Sequence, residues 1–162
     1  MGAHSPTRRP KKPIAVNRKA RHEYEILETL ETGIVLTGTE VKALREGRCN
    51  LEDSYAAFLE PGSHELWLLN LHIGPYSHAA AHDNHEPRRP RKLLLHKRQA
   101  IRLRSKVQEK GLTLVPLALY FSGPYVKVEL ALARGKKLYD RREEIRRRDM
   151  ERELRRSLKH AP

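Results

Sequence analysis

One cysteine in 162 residues, Cys49, leaves no partner for an internal disulfide and no basis for a metal site built on several thiolates. A lone thiol of this kind reads as a small semi-buried side chain rather than a reactive group. The opening stretch, MGAHSPTRRPKKPIAVNRKARHEY, contains no apolar core of signal-peptide length. No later run approaches the roughly 20 apolar residues that span a bilayer. These absences imply a soluble protein of a reducing cytoplasm. Catalytic signatures are missing too. There is no G-x-x-x-x-G-K-[ST] phosphate loop, since Gly135-Lys136-Lys137 lacks both the loop and the hydroxyl. There is no G-x-S-x-G, and Cys49 has no evident catalytic partner. No cofactor is expected, and the chain shows no internal repeat.

What the chain has is positive charge. Thirty-three Lys and Arg against twenty Asp and Glu give +13 and a pI near 10.2, which points to a polyanion, nucleic acid before an anionic membrane. Hydrophobic residues are 38%, enough for one modest core. The charge is not uniform. Residues 1–21 carry +7, residues 22–85 carry −8, residues 86–110 carry +8, residues 111–133 balance, and residues 134–162 carry +6. Three basic segments on an acidic-to-neutral body imply oriented binding rather than general stickiness.

Residues 1–16, rich in Pro, Lys and Arg without any period, are expected to be disordered when free. HEYEILETLE alternates as a strand, and TGIVLTG reads as a second strand with Thr32-Gly33 as the turn between them. TEVKALREG predicts a short helix with Thr39 as N-cap and Gly47 as stop. DSYAAFLEPGSHELWLLNLHI predicts a hairpin turning at Pro61-Gly62. GPYSHAAAHDNHEPRRP reads as loop. RKLLLHKRQAIRLRSKVQEKG predicts one basic amphipathic helix, with Ile101, Leu103 and Val107 as core contacts and Gly111 just past its end. LTLVPLALYFSGPYVKVELALA predicts a second hairpin turning at Ser122-Gly123-Pro124, with Pro116 at an edge or bulge. About six antiparallel strands joined largely by hairpins, with an inserted helix, predict a mainly β protein: a small closed or half-closed barrel with helices and a basic C-terminal tail.

His78, His82 and His85 have a spacing that would suit one metal, but they sit in a loop between Gly/Pro segments, where solvated neutral histidines are common. Glu23, Glu25, Glu28 and Glu31 form an acidic row. It reads either as a pair for acid–base chemistry or, more simply, as the solvent face of a strand.

Six stretches carry a resemblance. NRKARHEYEI, GTEVKALREG, NLEDSYA, RKLLLHKR, KGLTLVPLALYF and VKVELALARGKKLYDRRE occur in this order between Asn17 and Arg148. Together they resemble the SsrA-binding protein (SmpB) family. The resemblance implies an oligonucleotide-binding-type barrel over residues 17–133 with flanking helices, and transfer-messenger RNA (SsrA RNA) as partner. It implies work in trans-translation: cradling the tRNA-like end of that RNA, delivering it to stalled ribosomes, and placing the tail, residues 134–162, in the empty mRNA channel at the small-subunit decoding centre. A monomer without enzymatic activity is expected.

The family's RNA-facing positions match Asn17, Glu31 and Leu94, with Arg18, Lys19, Arg21, Lys42, Arg45, Arg91 and Lys92 nearby for phosphates. Under that resemblance Glu31 would accept hydrogen bonds from exocyclic amines of unpaired bases, and Leu94, if exposed, would pack on a base, whereas by itself it reads equally as core packing beside Leu93 and Leu95. The family's tail motif matches Gly135, Lys136, Lys137, Tyr139, Asp140, Arg141 and Arg142. Tyr139 stands where relatives often have histidine, Arg141 where lysine is usual, and Ala43 where a serine is found. The Arg fork keeps the charge.

The tail reads as a helix with little apolar surface. Met150, Leu154 and Leu158 form a stripe one residue wide. Glu143–Arg147, Glu144–Arg148 and Glu151–Arg155 are well-oriented pairs worth only about 0.2–0.5 kcal/mol each. Ordering each residue costs roughly 1–2 kcal/mol. The tail is therefore expected to be disordered when free and helical in a polyanionic tunnel on the ribosome. Two other readings compete: a constitutive ribosomal protein, disfavoured by the −8 block over residues 22–85, and an RNA-modifying enzyme, disfavoured by the lack of any cofactor or nucleophile motif.

Overall fold

A computed structural model describes residues 10–136 and 141–159, with residues 141–144 described by backbone alone. In chain order the elements are β1 (Lys11–Val16), α1 (Arg18–Glu23), β2 (Tyr24–Ile34), α2 (Gly38–Arg45), β3 (Cys49–Asn50), β4 (Tyr55–Ala57), β5 (Leu66–Leu69), β6 (His72–Ile73), β7 (Arg91–Leu94), α3 (Lys97–Lys110), β8 (Thr113–Ser122), β9 (Tyr125–Gly135) and α4 (Arg141–Lys159). A single 3-10 turn, Ala81–Asp83, interrupts the loop between β6 and β7.

The strands close on themselves. The main sheet runs β1-β8-β4-β5-β7-β2-β9, and β9 pairs back to β8, so six strands form a ring with β1 appended to β8. Every pairing is antiparallel. The small β3-β6 pair lies apart. The expected mainly β architecture of about six antiparallel strands with flanking helices is what the chain adopts.

Two apolar clusters divide the ring's faces. The interior holds Leu44, Leu66, Leu68, Leu93, Leu103, Leu114, Leu119, Val126, Val128, Leu130 and Leu132, so α2 and α3 each contribute a leucine to it. The outer face holds Tyr55, Leu59, Leu69, Val115, Leu117, Ala131 and Ala133, with Ala20 of α1. The alternation along β9, with Val128, Leu130 and Leu132 inward and Ala131 and Ala133 outward, follows from the two-residue strand period.

Local signals explain most boundaries. Gly62 and Gly123, both in the left-handed region at φ +80 and +59, make the two expected hairpin turns, and Gly111 at φ +60 ends α3. Pro116 sits at a register shift between β8 and β9, as a residue without an N–H should.

Other expectations are corrected. Lys11–Val16 is a strand paired with Ala118–Ser122, not an unpatterned segment. Residues 1–9 lie outside the described residues. Thr32-Gly33 is no turn, because β2 runs through it without a break. Thr37 rather than Thr39 caps α2: its hydroxyl accepts from Glu40 N and the Glu40 carboxylate accepts from Thr37 N at 2.8 Å, a reciprocal capping box. Arg91–Leu94 is a strand ahead of α3 rather than the first turn of one long helix. Of the expected core contacts on α3, Leu103 is buried, Val107 half-buried and Ile101 exposed.

The tail helix α4 does not stand free. Met150, Leu154 and Leu158 pack on the outer-face cluster alongside Tyr24, Ile26 and Trp67. Arg147 donates to Tyr24 Oη at 2.9 Å and lies 4.9 Å over the Tyr55 ring. The narrow stripe that cannot hold an isolated helix gains from the body the apolar cover it lacks. Burial raises the Glu151 carboxyl against the pull of Arg147 and Arg155.

Candidate nucleic-acid interface

Strand register assigns the residues of the outer face. Glu31 pairs with Glu129, Gly33 with both Lys127 and Leu94, and Tyr120 with Lys127. Directly paired residues share a face, so Glu31, Glu129, Lys127, Tyr120 and Leu94 stand on one surface. A Cβ at Gly33 would come 3.2 Å from Leu94 Cβ, so glycine there lets Leu94 cross closely over β2. Leu94 is 51% exposed, an apolar side chain with no cover. Lys11 closes the patch from β1, its ammonium 4.8 Å over the Tyr120 ring. The Tyr120 hydroxyl donates to Glu31 Oε2 across the intervening β9. Burial, then that carboxylate, raises the tyrosine's pKa and keeps the hydroxyl a donor.

The other expected contacts fall in several places. Arg18, Lys19 and Arg21 are exposed on α1, at the opposite end of β2 from Gly33, on the order of 30 Å away along the strand. Lys19 already pairs with Asp53 at 2.9 Å and Glu23 at 3.9 Å. Asn17 is 3% exposed and works structurally: it caps α1 by accepting from Ala20 N and donates to Leu51 O and Pro116 O. Lys42 and Arg45 are exposed on α2, lying over Tyr76 and Phe121. Lys92 is half-buried and pairs with Glu65 at 3.3 Å.

Arg91 is the clear correction among the basic residues. It is 0% exposed and cannot reach a phosphate. Its guanidinium bonds the Glu40 carboxylate and donates to Leu71 O at 2.6 Å and Pro87 O at 3.0 Å. Arg89 bonds the other Glu40 oxygen. Burial opposes ionisation of Glu40, which is also 0% exposed, but the Thr37 N–H, Arg89 and Arg91 together hold its pKa below the usual carboxylate range. This buried pair ties α2 to β7, so Arg91 holds in place the helix that carries the exposed Lys42 and Arg45.

Glu28 is likewise structural. The Arg102 hydrogen bond, aided by Lys106, lowers its pKa to about 2 and ties β2 to α3. Gly135 closes β9 opposite Tyr24, and Lys136 N donates to Glu23 O at 3.0 Å. Lys137, Tyr139 and Asp140 lie outside the described residues, and Arg141 and Arg142 are described only as backbone at the start of α4. The three loop histidines go separate ways: His85 bonds Thr39 Oγ1 and Ile73 O, His78 meets the Tyr76 ring edge-on, and His82 lies by Asp83. Among the described residues no group of three or more His, Cys, Asp or Glu side chains converges as for a metal. Also among the described residues, no helix is long and apolar enough to cross a membrane.

Tyr120, Glu129, Lys11 and Lys127 are the members of this surface that the sequence reading missed. Their only signal is register, which needs strand pairings far apart in sequence.

A closed ring of six antiparallel strands with flanking helices is the architecture of a small oligonucleotide-binding-type barrel. The comparisons name it more closely. The SmpB protein family model matches residues 14–160, and the chain belongs to that family. It is 60% identical over 148 residues to an SsrA-binding protein of Carboxydothermus hydrogenoformans, covering 91% of this chain and 97% of that one. It is 56% identical over 152 residues to one of Desulforudis audaxviator, covering 94% and 97%. A solved chain described as "tmRNA-SmpB: a journey to the center of the bacterial ribosome" shares the fold at TM-score 0.64 and 52% identity, over 86% of this chain and 96% of that one.

Proposed function

We propose that the chain is a cytoplasmic, non-enzymatic, monomeric RNA-binding adaptor of ribosome rescue. It binds the tRNA-like part of transfer-messenger RNA, carries it to stalled ribosomes and lends its tail to the empty mRNA channel. The observation that carries this reading is the likeness, in sequence and fold over most of the chain, to a protein solved with tmRNA on the ribosome. The outer face supports it chemically. An acidic residue is a poor phosphate ligand, so Glu31, on the same face as Lys127 of the neighbouring strand, suits a base edge rather than a backbone, with Leu94 offering that base an apolar platform.

The tail has a separate task. Lifted off the body it has no apolar cover, and like charges along α4 oppose helix formation, so it is disordered once released and folds again where channel phosphates face its arginines. Body and tail thus divide the work of capture and rescue.

Two full-length variants test this. Glu31→Ala should weaken binding to the tRNA-like RNA while sparing an unrelated RNA, although simple electrostatics favours the reverse. Replacing Arg146, Arg152, Arg156 and Lys159 by glutamine should leave that RNA affinity intact and abolish peptide tagging on stalled ribosomes. Tighter binding to both RNAs by the first variant, or normal tagging by the second, would reject the division of labour.

A further inference from the structure

We propose that Tyr120 is a positioning residue for Glu31, fixing which lone pairs of that carboxylate face an unpaired base bearing an exocyclic amine. The proposal rests on Glu31 reading a base.

A glutamate on an exposed strand face has free rotamers, and holding one still for a ligand costs about 0.5–1.5 kcal/mol at the moment of binding. Here that cost is met in advance. Tyr120 is 5% exposed, and its ring is held beneath the Lys11 ammonium at 4.8 Å. Its hydroxyl crosses β9 to reach Glu31 Oε2 on the far strand. A tyrosine has one proton to give. Glu129, directly opposite Glu31 in register, also acts on this hydroxyl electrostatically, yet the hydrogen bond goes to Glu31. One carboxylate of the cross-strand pair is thereby oriented.

An ionised carboxylate has about four acceptor sites. Tyr120 takes one on Oε2, so Oε1 and the remaining Oε2 lone pair are presented in a set direction. Their complement is an amine donor: the amino edge of adenine, cytosine or guanine. Uracil has no exocyclic amine and is disfavoured. The half-exposed Leu94 completes the geometry by giving such a base a surface to lie on.

The test is a double-mutant cycle with the full-length protein, the tRNA-like RNA and an unrelated RNA at one salt concentration. Tyr120→Phe keeps the ring under Lys11 and removes only the hydroxyl; a melting curve checks that it folds. It should lower affinity for the tRNA-like RNA roughly 3- to 10-fold, the value of one pre-ordered side chain, and leave the unrelated RNA unchanged. In a Glu31→Ala background the same substitution should do nothing further, which a merely structural role would not produce. Tyr120→Leu, which loses hydroxyl and ring shape together, should reproduce the Phe loss and again add nothing on Glu31→Ala. An equal loss for both RNAs, an equal loss in both backgrounds, or no loss at all would overturn the positioning role. If Glu31→Ala discriminates but Tyr120→Phe matches wild type, Glu31 reads RNA unaided. If Glu31→Ala itself leaves discrimination intact, base reading by Glu31 falls and the positioning role with it.

Discussion

Arg91→Ala separates two opposite accounts of a basic residue. As a phosphate contact, Arg91 would contribute to RNA affinity and little to stability. Buried at 0% exposure against Glu40, also at 0%, it should do the reverse. Its removal leaves a buried carboxylate with the Arg89 and Thr37 bonds alone, and leaves the Leu71 and Pro87 carbonyls without this donor. Deleting one partner of a buried ion pair costs about 3–5 kcal/mol. Arg89 and the Thr37 N–H survive, so the lower end applies. At roughly 2–4 °C per kcal/mol for a chain of this size, the melting temperature should fall by about 6–12 °C. In RNA titrations below the new melting point, the slope of log affinity against log salt should stay at its wild-type value. Replacing the exposed Arg45 by alanine should instead flatten that slope by about 0.9 with little effect on melting. An Arg91→Ala protein that melts like wild type and loses a unit of salt slope would refute the buried-pair argument.

Glu28, with its pKa held near 2 by Arg102, stabilises the fold above the ordinary value of 4.5 and loses that contribution as pH falls from 4.5 towards 2. Glu28→Gln should therefore lower stability at neutral pH and flatten the acid limb of a melting-temperature-against-pH profile. Leu154→Asp should lift α4 from the outer face without unfolding the ring: amides of residues 145–159 should exchange near the free rate while those of β8 and β9 stay protected. The only tryptophan, Trp67, packs on the same apolar cluster, so its emission should shift to the red in that variant. Glu151→Gln should act oppositely at neutral pH, because burial disfavours the ionised acid, and should slow exchange along α4.

The sequence announced what is local. Pro61-Gly62 and Ser122-Gly123 mark turns by backbone chemistry confined to four residues, and Gly111 ends α3 the same way. It misled where a residue's role depends on a distant neighbour. Gly33 reads as a turn, but it is a strand residue because it pairs with Leu94 on one side and Lys127 on the other, 61 and 94 positions on. Arg91–Leu94 reads as helix because a short apolar run has no decisive period; the pairing of Leu93 with Leu66 decides it. Lys11–Val16 has no pattern of its own, since its strand partner lies more than a hundred residues away. At the candidate interface, Glu31 and Leu94 were visible through resemblance. Tyr120, 89 residues from Glu31, was not, and Arg91 was misassigned because charge in a sequence carries no information about depth.

The position of α4 on the outer face gives the tail a competitor. Any surface that recruits the tail must first win it from Tyr24, Tyr55 and the apolar cluster beside them. The apparent affinity of such a surface is its intrinsic affinity multiplied by the undocked fraction, so each 1.4 kcal/mol of docking weakens capture about tenfold. Scattered phosphates of a passing RNA are poor rivals at that discount, whereas an enclosed, continuous run of them is a strong one. Docking therefore acts as a threshold on where the positive charge of the tail can be spent.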